Sequence, residues 1–239
     1  MNPFRDYRFE PLEMRTLLSS VHLQHNGLLH VIGAGGAANT IVVGLTADQQ
    51  SIDVSVSYPA TRHSTKVINE TFPVANVHTM LIDGGSKGDY IAIDQTNGSF
   101  TVPTTIMAGG GNDTVLGGDE PDSIIGGNGN DCLSGGGGND TLNGQAGHDT
   151  LLGGDGDDVL RDTGGHNSLN GGDGNDILYD PQGPDTMMGG SGNNAFFVYR
   201  LKGDPVNDYD AATDELRIVP PPNSGGSSFW DDVLDYYVL

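Results

Sequence analysis

The sequence predicts an all-β solenoid, a fold in which short parallel strands stack into about five coils. Three observations favour it. A nine-residue pattern runs ten times without a gap through residues 108–197. A strand-rich segment, residues 28–107, precedes these repeats and is expected to continue the same stack. Glycine supplies 38 of the 239 residues and hydrophobic residues only 35%, a composition that disfavours a large conventional core.

The charge and the cysteine content exclude several classes of protein. Acidic residues outnumber basic ones 32 to 10, so nucleic acid is not an expected partner, because phosphate binding needs clustered Lys and Arg. No apolar run approaches the roughly 18–20 residues of a transmembrane helix. The single cysteine, Cys132, excludes an internal disulfide framework and a cysteine-built zinc site. An acidic chain of this kind either stays disordered or binds cations.

These patterns divide the chain into five segments. Residues 1–27 are expected to form an N-terminal sorting or disordered segment, and residues 28–107 a β-strand-rich region of degenerate solenoid rungs. Residues 108–197 hold the repeats, residues 198–218 a closing segment, and residues 219–239 a linker with an acidic, aromatic tail.

The segment before the repeats is predicted to form short strands joined by turns, and no helix longer than three turns is expected. The predicted strands are Leu28–Ile32, Thr40–Gly44, Ser51–Ser57, Thr79–Asp83, Tyr90–Ile93 and Thr104–Met107. Two stretches, Ala34–Val42 and Gly84–Ala92, look like degenerate copies of the repeat, since both keep a late Asn or Asp and an apolar residue two places on.

The repeat itself follows G-G-x-G-x-D-x-U-x, where U is apolar. Four units match every fixed position: Gly126–Ser134, Gly135–Asn143, Gly153–Arg161 and Gly171–Tyr179. Position six is Asp in eight units and Asn in two, and position eight is apolar in all ten. Each unit is therefore predicted to be a turn of six residues and a strand of three, with position eight facing inward and positions seven and nine outward. Two units then form one coil.

The chemistry of the turns points to calcium. Glycines at positions one, two and four allow backbone conformations that bring carbonyl oxygens towards a common point, and the position-six carboxylate adds to them. Ca²⁺ takes about 6–8 oxygen ligands at about 2.3–2.6 Å, whereas Mg²⁺ needs a tighter octahedral site. No nitrogen or sulfur ligand recurs in the repeat, so zinc and copper are poor candidates.

The predicted ligands come from two sets of residues. The carboxylates are Asp113, Asp122, Asp131, Asp140, Asp149, Asp158, Asp176 and Asp185. The main-chain oxygens are expected in the turns near Gly110, Asn112, Asn128, Asn130, Gly137, Asn139, Asp155, Asp157, Asp173 and Asn175.

Residues 108–197 resemble the RTX (haemolysin-type) calcium-binding array, whose nonapeptide has this pattern. The resemblance implies a right-handed parallel β-roll, with each Ca²⁺ between turns two repeats apart on the same edge and about four to six ions in all. One edge would carry Asp113, Asp131, Asp149, Asn167 and Asp185, and the other Asp122, Asp140, Asp158, Asp176 and Asn194.

Departures from the pattern rank these sites. Glu120-Pro121, Asp162-Thr163 and Asp180-Pro181 replace glycines of the second, seventh and ninth units. The best sites are therefore expected to pair Asp113 with Asp131, Asp131 with Asp149, Asp140 with Asp158, and Asp158 with Asp176.

Charge repulsion predicts that folding depends on calcium. Residues 108–197 hold 15 acidic residues and one basic residue, Arg161. Closing the coils would stack carboxylates on one another unless cations separate them. We therefore expect this region to be largely disordered without calcium and ordered with it.

Both ends of the chain favour secretion from a bacterium. Phe9–Ser19 resembles the LEPR-x-LL motif of large extracellular proteins of planctomycetes and some other bacteria, although Met14 stands where that family has Pro. Leu234–Leu239 resembles the tail of type I secretion substrates, and Val206–Ile218 is similar to the segment that closes many RTX rolls. The protein is expected to be extracellular or at the cell surface.

The preferred interpretation is a non-catalytic, calcium-binding scaffold. The alternatives are a surface adhesin, which would bind a glycan or a cell-surface protein, and an accessory module of a secreted enzyme. Gly84–Gly88 satisfies G-x-S-x-G, but a strand follows it where a nucleophile elbow needs a helix. No catalytic residues and no organic cofactor are predicted.

Three further residues lie at variable positions of the repeat. His148 and His166 occupy position five of the fifth and seventh units and are expected to be neighbours on one edge. Cys132 occupies position seven and is expected to face outward.

Overall fold

The structure is a computed structural model that describes residues 19–180, 185–198 and 213–218. Within these residues the fold is all-β, as predicted, with one 3-10 turn at Val74–Asn76. The strands are β1 Ser20–Leu23, β2 Leu28–Ile32, β3 Thr40–Leu45, β4 Ser51–Thr61, β5 Ser64–Pro73, β6 Thr79–Gly85, β7 Tyr90–Asp94, β8 Thr104–Gly110, β9 Thr114–Leu116, β10 Ser123–Asn128, β11 Cys132–Gly137, β12 Thr141–Ala146, β13 Thr150–Asp155, β14 Val159–Arg161, β15 Ser168–Asp173, β16 Ile177–Tyr179, β17 Thr186–Ser191, β18 Ala195–Val198 and β19 Glu215–Ile218.

Two sheets face each other across the core. The first has the strand order β1-β2-β6-β8-β10-β12-β14-β16-β18-β19, and the second has the order β17-β15-β13-β11-β9-β7-β3-β4-β5. From β6 to β18 the chain alternates between the sheets, and each strand pairs in parallel with the strand one coil away. This is the predicted parallel β-roll.

The register confirms that two nonapeptides make one coil. Ser123 in β10 pairs with Thr105 in β8 on one side and with Thr141 in β12 on the other. Cys132 in β11 pairs in the same way with Thr114 and Thr150. Equivalent residues of neighbouring coils therefore stand next to each other, about 4.8 Å apart across the sheet.

The strand-rich segment continues the roll towards the N-terminus, as predicted. β2 pairs in parallel with β6, and β3 pairs in parallel with β7. These coils are longer than those of the repeats, because the equivalent residues Asp89 and Asp113 are 24 positions apart and Asn39 and Asp89 are 50 apart. The hairpin β4–β5 lies inside the longest of them.

The predicted strands are found, but the sequence missed two strands and ended several others too early, as at β6 and β8. The prediction of a six-residue turn and a three-residue strand in each repeat is wrong, because six of the repeat strands continue through positions one to three of the next unit, as β10 does. β1 and β5 were not predicted, and β4 continues to Thr61 beyond the expected end at Ser57. β1 and β5 pair antiparallel with β2 and β4 and lie at the N-terminal ends of the two sheets. Most of β5 is exposed on both faces, so its sequence carries no polar–apolar alternation to reveal it.

A ladder of apolar side chains fills the roll. All ten position-eight residues are fully buried, as predicted. They are Val115, Ile124, Leu133, Leu142, Leu151, Leu160, Leu169, Leu178, Met187 and Phe196. Val31, Ile82 and Ile106 extend the ladder in the first sheet, and Ile41 and Ile91 extend it in the second. One continuous core therefore joins the degenerate coils to the repeats.

The ends of the chain fall mostly outside the described residues. The sorting-like motif Phe9–Ser19, apart from Ser19, and the tail Leu234–Leu239 are not described. Of the closing segment Val206–Ile218, the described part forms β19, which pairs in parallel with β18 at the end of the first sheet. In the described residues, no helix is long and apolar enough to span a membrane.

Candidate metal centre

The turns of alternate repeat units line the two edges of the roll. On one edge, which we call the regular edge, the turns are residues 117–122, 135–140, 153–158, 171–176 and 189–194. On the other, which we call the substituted edge, they are residues 108–113, 126–131, 144–149, 162–167 and 180–185, of which residues 181–184 are not described.

A ladder of hydrogen bonds runs along each edge through position six. From Asp131 onwards, the Oδ1 atom of each position-six side chain accepts the N–H of the position-six residue one coil earlier. Asp140 Oδ1, for example, accepts the Asp122 amide at 2.8 Å, and Asp131 Oδ1 accepts the Asp113 amide at 2.9 Å. The predicted carboxylates are all buried, with at most 5% of each exposed. The structure thus brings them together, one coil apart, on the two edges that the sequence indicated.

The ladder of the substituted edge continues into the degenerate coils. Asp113 Oδ1 accepts the Asp89 amide at 2.7 Å, and Asp89 Oδ1 accepts the Asn39 amide at 2.5 Å. Asn39 and Asp89 are the late Asn and Asp of the two degenerate copies. They occupy the place of position six in the first two coils.

The second oxygen of most of these carboxylates has no hydrogen-bond partner among the described residues, although it is buried. The Oδ2 atoms in this state belong to Asp89, Asp113, Asp131, Asp140, Asp149, Asp158 and Asp176. A buried oxygen without a donor costs free energy unless another group satisfies it. The row of Oδ2 atoms is therefore the feature that a ligand has to explain.

Where position one is glycine, the absence of a Cβ lets the position-six carboxylate lie close to the backbone. A Cβ on Gly153 would stand 2.2 Å from Asp158 Oδ2 and 2.5 Å from the carbonyl oxygen of Gly171 in the next coil. A Cβ on Gly135 would stand 2.1 Å from Asp140 Oδ2 and 2.8 Å from the Gly153 oxygen. A carboxylate oxygen and a carbonyl oxygen of the next coil therefore both lie close to the position-one glycine, and both are ligands that Ca²⁺ accepts.

Burial sets the charge state of these groups. It raises the pKa of Asp131, Asp158 and Asp176 to about 6 and that of Asp140 to about 7, and neighbouring carboxylates raise it further. The pKa of Asp113 is likewise raised to about 6. A carboxylate in this environment is stabilised by gaining either a proton or a cation.

The donor set fits calcium. Among the described residues no group of three or more His, Cys, Asp or Glu side chains could hold a metal ion. A cation would therefore rely on main-chain carbonyl oxygens together with one or two carboxylates. Such all-oxygen sites suit Ca²⁺, whereas zinc and copper prefer nitrogen or sulfur ligands.

Asp122 differs from the other predicted ligands. Its Oδ2 accepts the Gly118 amide at 2.8 Å, and its Oδ1 accepts the Thr104 amide at 3.1 Å. Both oxygens are therefore already bonded within the protein. This follows the departure Glu120-Pro121 in the same turn and makes Asp122 the least available of the carboxylates.

The turn residues predicted to supply main-chain oxygens have two roles. Those at position three pair from coil to coil, and the carbonyl oxygens of Asn128 and Asp173 accept the amides of Gly111 and Gly156 at 2.8 and 2.7 Å. Those at position five form a second ladder. Its bonds are Asn130 N to Asn112 Oδ1, Asp157 N to Asn139 Oδ1 and Asn175 N to Asp157 Oδ1, at 2.9, 3.0 and 2.7 Å.

The position-five ladder was missed by the sequence analysis, which treated this position as variable. The recurrence of Asn, Asp and His there was the available signal, because each offers a side-chain acceptor. His166 donates its amide to His148 Nδ1 at 2.8 Å, and the two rings lie 5.1 Å apart. They are neighbours on one edge, as predicted, and Cys132 is exposed, also as predicted.

Comparison with known proteins agrees with this geometry. The family model described as RTX calcium-binding nonapeptide repeat (4 copies) matches residues 107–142, 116–151, 134–161, 152–179 and 161–196. No curated protein and no solved structure matches the chain. The matched residues contain both turn ladders and the repeat part of the core. Residues 107–196 are thus RTX calcium-binding nonapeptide repeats.

Proposed function

We propose that the protein is a secreted, non-catalytic scaffold whose repeats bind several calcium ions and fold as they bind them. The observation that carries this proposal is the row of buried Oδ2 atoms without hydrogen-bond partners. For Asp131, Asp140, Asp158 and Asp176, a main-chain carbonyl oxygen of the next coil lies near the same position-one glycine as the Oδ2 atom. About four to six ions would satisfy the two edges.

The residues that would hold the ions are the eight predicted carboxylates and the turn carbonyls. Asp131, Asp140, Asp149, Asp158 and Asp176 are the strongest members, since each has one oxygen fixed by the ladder and the other without a donor. Calcium would supply positive charge where the protein supplies only oxygen atoms. The ladder orients each carboxylate, and the core holds the coils at the spacing that places successive turns together.

Charge explains why binding would drive folding. The repeats carry 15 acidic residues against the single basic residue Arg161. In the folded roll the position-six carboxylates are buried in rows, where repulsion and loss of solvent both oppose their charged form. A cation that binds only the folded roll stabilises it by mass action, so its binding free energy becomes folding free energy.

An extracellular setting agrees with this mechanism. Extracellular calcium modules bind with dissociation constants of about 10⁻⁴–10⁻³ M, so the roll would stay unfolded in the cytosol and fold outside the cell. RTX repeats occur in secreted bacterial proteins, and the terminal motifs at Phe9–Ser19 and Leu234–Leu239 point the same way. We infer secretion, with attachment to the cell surface as one destination.

Circular dichroism of the full chain tests the proposal. Starting in EDTA, CaCl₂ is expected to produce a coil-to-β transition near millimolar concentration, and MgCl₂ is expected to produce none. The double variant Asp140→Asn, Asp158→Asn should need more calcium. Asp155→Asn is the matched control, because this side chain is exposed in the same turn. A full β spectrum in EDTA that calcium leaves unchanged would contradict the folding switch.

A second candidate function is glycan binding, favoured by a polar groove of about 460 Å³. The groove lies on strands β3, β4, β5 and β7, away from the turns. Its polar side chains are Asp53, Ser55, Asn69, Glu70, Thr71, Asp94 and Asn97. A glycan-array screen in calcium would test it, with Asp53→Ala as the variant that should lose binding.

A further inference from the structure

Two turns of the substituted edge place an aspartate where the repeat has its first glycine. These aspartates are Asp162 and Asp180, and both are fully buried. In the repeat pattern they are departures, and the sites beside them were not expected to be among the best. Each carboxylate extends towards the turn one coil earlier. Its neighbour is therefore the position-six residue of that earlier turn.

The two aspartates have different neighbours. Asp180 Oδ2 accepts a hydrogen bond from Asn167 Nδ2 at 3.0 Å. Asp162 Oδ2 instead lies 2.1 Å from the point where a Cβ on Gly144 would stand, and Asp149 Oδ2 lies 2.6 Å from the same point. Asp180 therefore meets an amide, whereas Asp162 meets a second carboxylate.

The Asp149–Asp162 pair has no internal donor to separate its charges. Neither Oδ2 atom has a hydrogen-bond partner among the described residues, and at most 2% of either residue is exposed. Asp162 Oδ1 is fixed by the Thr163 amide at 2.6 Å, so the carboxylate is aimed rather than free to turn away. Two such carboxylates need a proton or a cation between them.

We propose that Asp149 and Asp162 together hold a divalent cation of the calcium class between the turns 144–149 and 162–167. In this site the Asp162 carboxylate takes the place that a position-one carbonyl oxygen has beside Asp131, where the Gly144 oxygen is 3.0 Å from the Gly126 Cβ point. It also replaces the charge that the array loses at Asn167. The inference rests on the proposed calcium function and adds Asp162 to the ligands.

Counting bound ions tests this inference. Native mass spectrometry of the full chain in CaCl₂ gives the number of ions, and calcium titration gives their affinities. Asp162→Asn should bind one ion fewer, because the new amide can donate to Asp149 as Asn167 donates to Asp180. Asp162→Gly, which restores the repeat, should lose the added affinity of this site. Asp119→Asn, which removes an exposed charge outside the predicted ligand set, is the matched control and should lose neither.

A gain-of-binding variant keeps the test independent of folding defects. Asn167→Asp would face Asp180 with a carboxylate and is expected to add one ion. If the natural chain binds no calcium, the proposed function fails. If it binds several ions while Asp162→Asn and Asn167→Asp leave their number and affinities unchanged, the proposed function stands and this inference is overturned.

The strand β5 lies at the N-terminal end of the roll, away from the Asp149–Asp162 pair. β5 is the edge strand of the second sheet, and in the described chain only β4 borders it. It is ten residues long and largely exposed, with Val67 53% exposed. A long, exposed edge strand with apolar side chains is a ready template for pairing with another strand.

The charges of this edge allow a second copy to approach. The chain as a whole carries a formal charge of −22. The hairpin β4–β5 is balanced instead, with Asp53 and Glu70 against Arg62 and Lys66. Two copies that meet here therefore avoid the repulsion that would separate most other surfaces.

The sequence of β5 is also complementary to itself. Lys66 and Glu70 lie two residues on either side of Ile68, on the same face of the strand. Antiparallel pairing about a two-fold axis through Ile68 would set Lys66 of each copy opposite Glu70 of the other. Opposite charges in directly facing positions stabilise a strand pair.

We infer that two copies of this chain pair through β5 and join their second sheets edge to edge. Light scattering after size-exclusion chromatography, with calcium present, should show a dimer. Lys66→Glu and Glu70→Lys should each give a monomer, because like charges then face each other. The double exchange should restore the dimer. Lys87→Glu, an exposed residue outside the hairpin, is the control and should remain dimeric.

The possible results distinguish a second copy of the chain from any other group that covers the β5 edge. A natural chain that stays monomeric at high concentration overturns the inference, whether another segment or solvent covers β5. A dimer that survives both single variants places the contact elsewhere and also overturns it. Because Lys66 lies over the Tyr58 ring at 5.9 Å, recovery in the double exchange shows that charge pairing, not this contact, sets the dimer.

Discussion

The two edges of the roll share one hydrogen-bond ladder and differ in the turns that surround it. The regular edge keeps its glycine pair in each turn, as at Gly135-Gly136, Gly153-Gly154 and Gly171-Gly172. On the substituted edge the pair is lost from the fifth unit onwards, at Gly144-Gln145 and then Asp162-Thr163. The ladder continues unbroken, since Asp149 still donates its amide to Asn167 Oδ1 at 2.8 Å.

This difference distinguishes the features that hold the roll together from the features that would bind ions. Asp and Asn serve the ladder equally, because both present an Oδ1 acceptor. Only Asp supplies the second, partnerless oxygen. The fold can therefore tolerate Asn at position six and a larger residue at position one, whereas either change should alter the binding of ions.

A change in the shared core should have the largest effect and should not distinguish the edges. Leu151 is fully buried between them. Leu151→Ala is expected to destabilise the calcium-loaded roll by about 2–5 kcal/mol, since it leaves a cavity. Thermal unfolding in saturating calcium measures this, with the exposed Leu152→Ala as the matched control. Equal losses in the two variants would contradict the position-eight ladder.

Glycine substitutions should have the next largest effect, and they compare position one of the regular edge with position three of the substituted edge. On the regular edge a Cβ at Gly153 would occupy the space between Asp158 Oδ2 and the Gly171 oxygen. On the substituted edge a Cβ at Gly164 would have nothing within 4 Å. Gly153→Ala is expected to cost about 1–3 kcal/mol and to reduce the number of bound ions. Gly164→Ala should change stability by less than about 1 kcal/mol and bind the normal number.

Thermal unfolding measures the stability of these two variants, and native mass spectrometry counts their bound ions. If Gly153→Ala kept every ion, the space beside Asp158 Oδ2 would not be a cation site. If both variants were equally destabilised, the turns would be sensitive to any side chain and the contrast between the edges would disappear.

Low pH should partly replace calcium in stabilising the roll, because protons and calcium ions both neutralise the charge of the same buried carboxylates. The folded-state pKa of Asp131, Asp158 and Asp176 is raised to about 6, and that of Asp140 to about 7, above an unfolded value of about 3.9. The folded state therefore binds protons more tightly than the unfolded state. In EDTA, the β content is expected to be highest at acid pH and to fall as the pH rises through 6 to 7.

Circular dichroism at pH 5 and pH 8 measures this effect, with saturating calcium as the control, where the signal should be flat across the same range. A β content in EDTA that rises with pH, or does not change, would contradict the burial of these carboxylates.

The sequence predicted the regular parts of the roll well because a strict period carries its own register. Once position eight is known to face inward, an eighteen-residue coil places Asp140 beside Asp158 without further information. A repeat period does not predict contacts that occur only once in the fold. β5 has no clear alternation because most of its side chains are exposed, and Asp162 looked like a lost glycine because its partner, Asp149, lies in another coil.

The smallest expected effect concerns the backbone of the substituted edge. Gln145 occupies the second position of its turn with φ at 76°, a left-handed conformation that glycine adopts there in Gly127. A side chain in this region costs about 1–2 kcal/mol, partly offset by the greater freedom that glycine has in the unfolded chain. Gln145→Gly is thus expected to raise the stability of the calcium-loaded roll by roughly 1 kcal/mol or less. Thermal unfolding should show a small increase in the midpoint, and Gln145→Ala, which keeps the Cβ, should show none. A decrease with Gln145→Gly would mean that its side chain stabilises this turn, so that the substituted edge gained a contact when it lost its glycine.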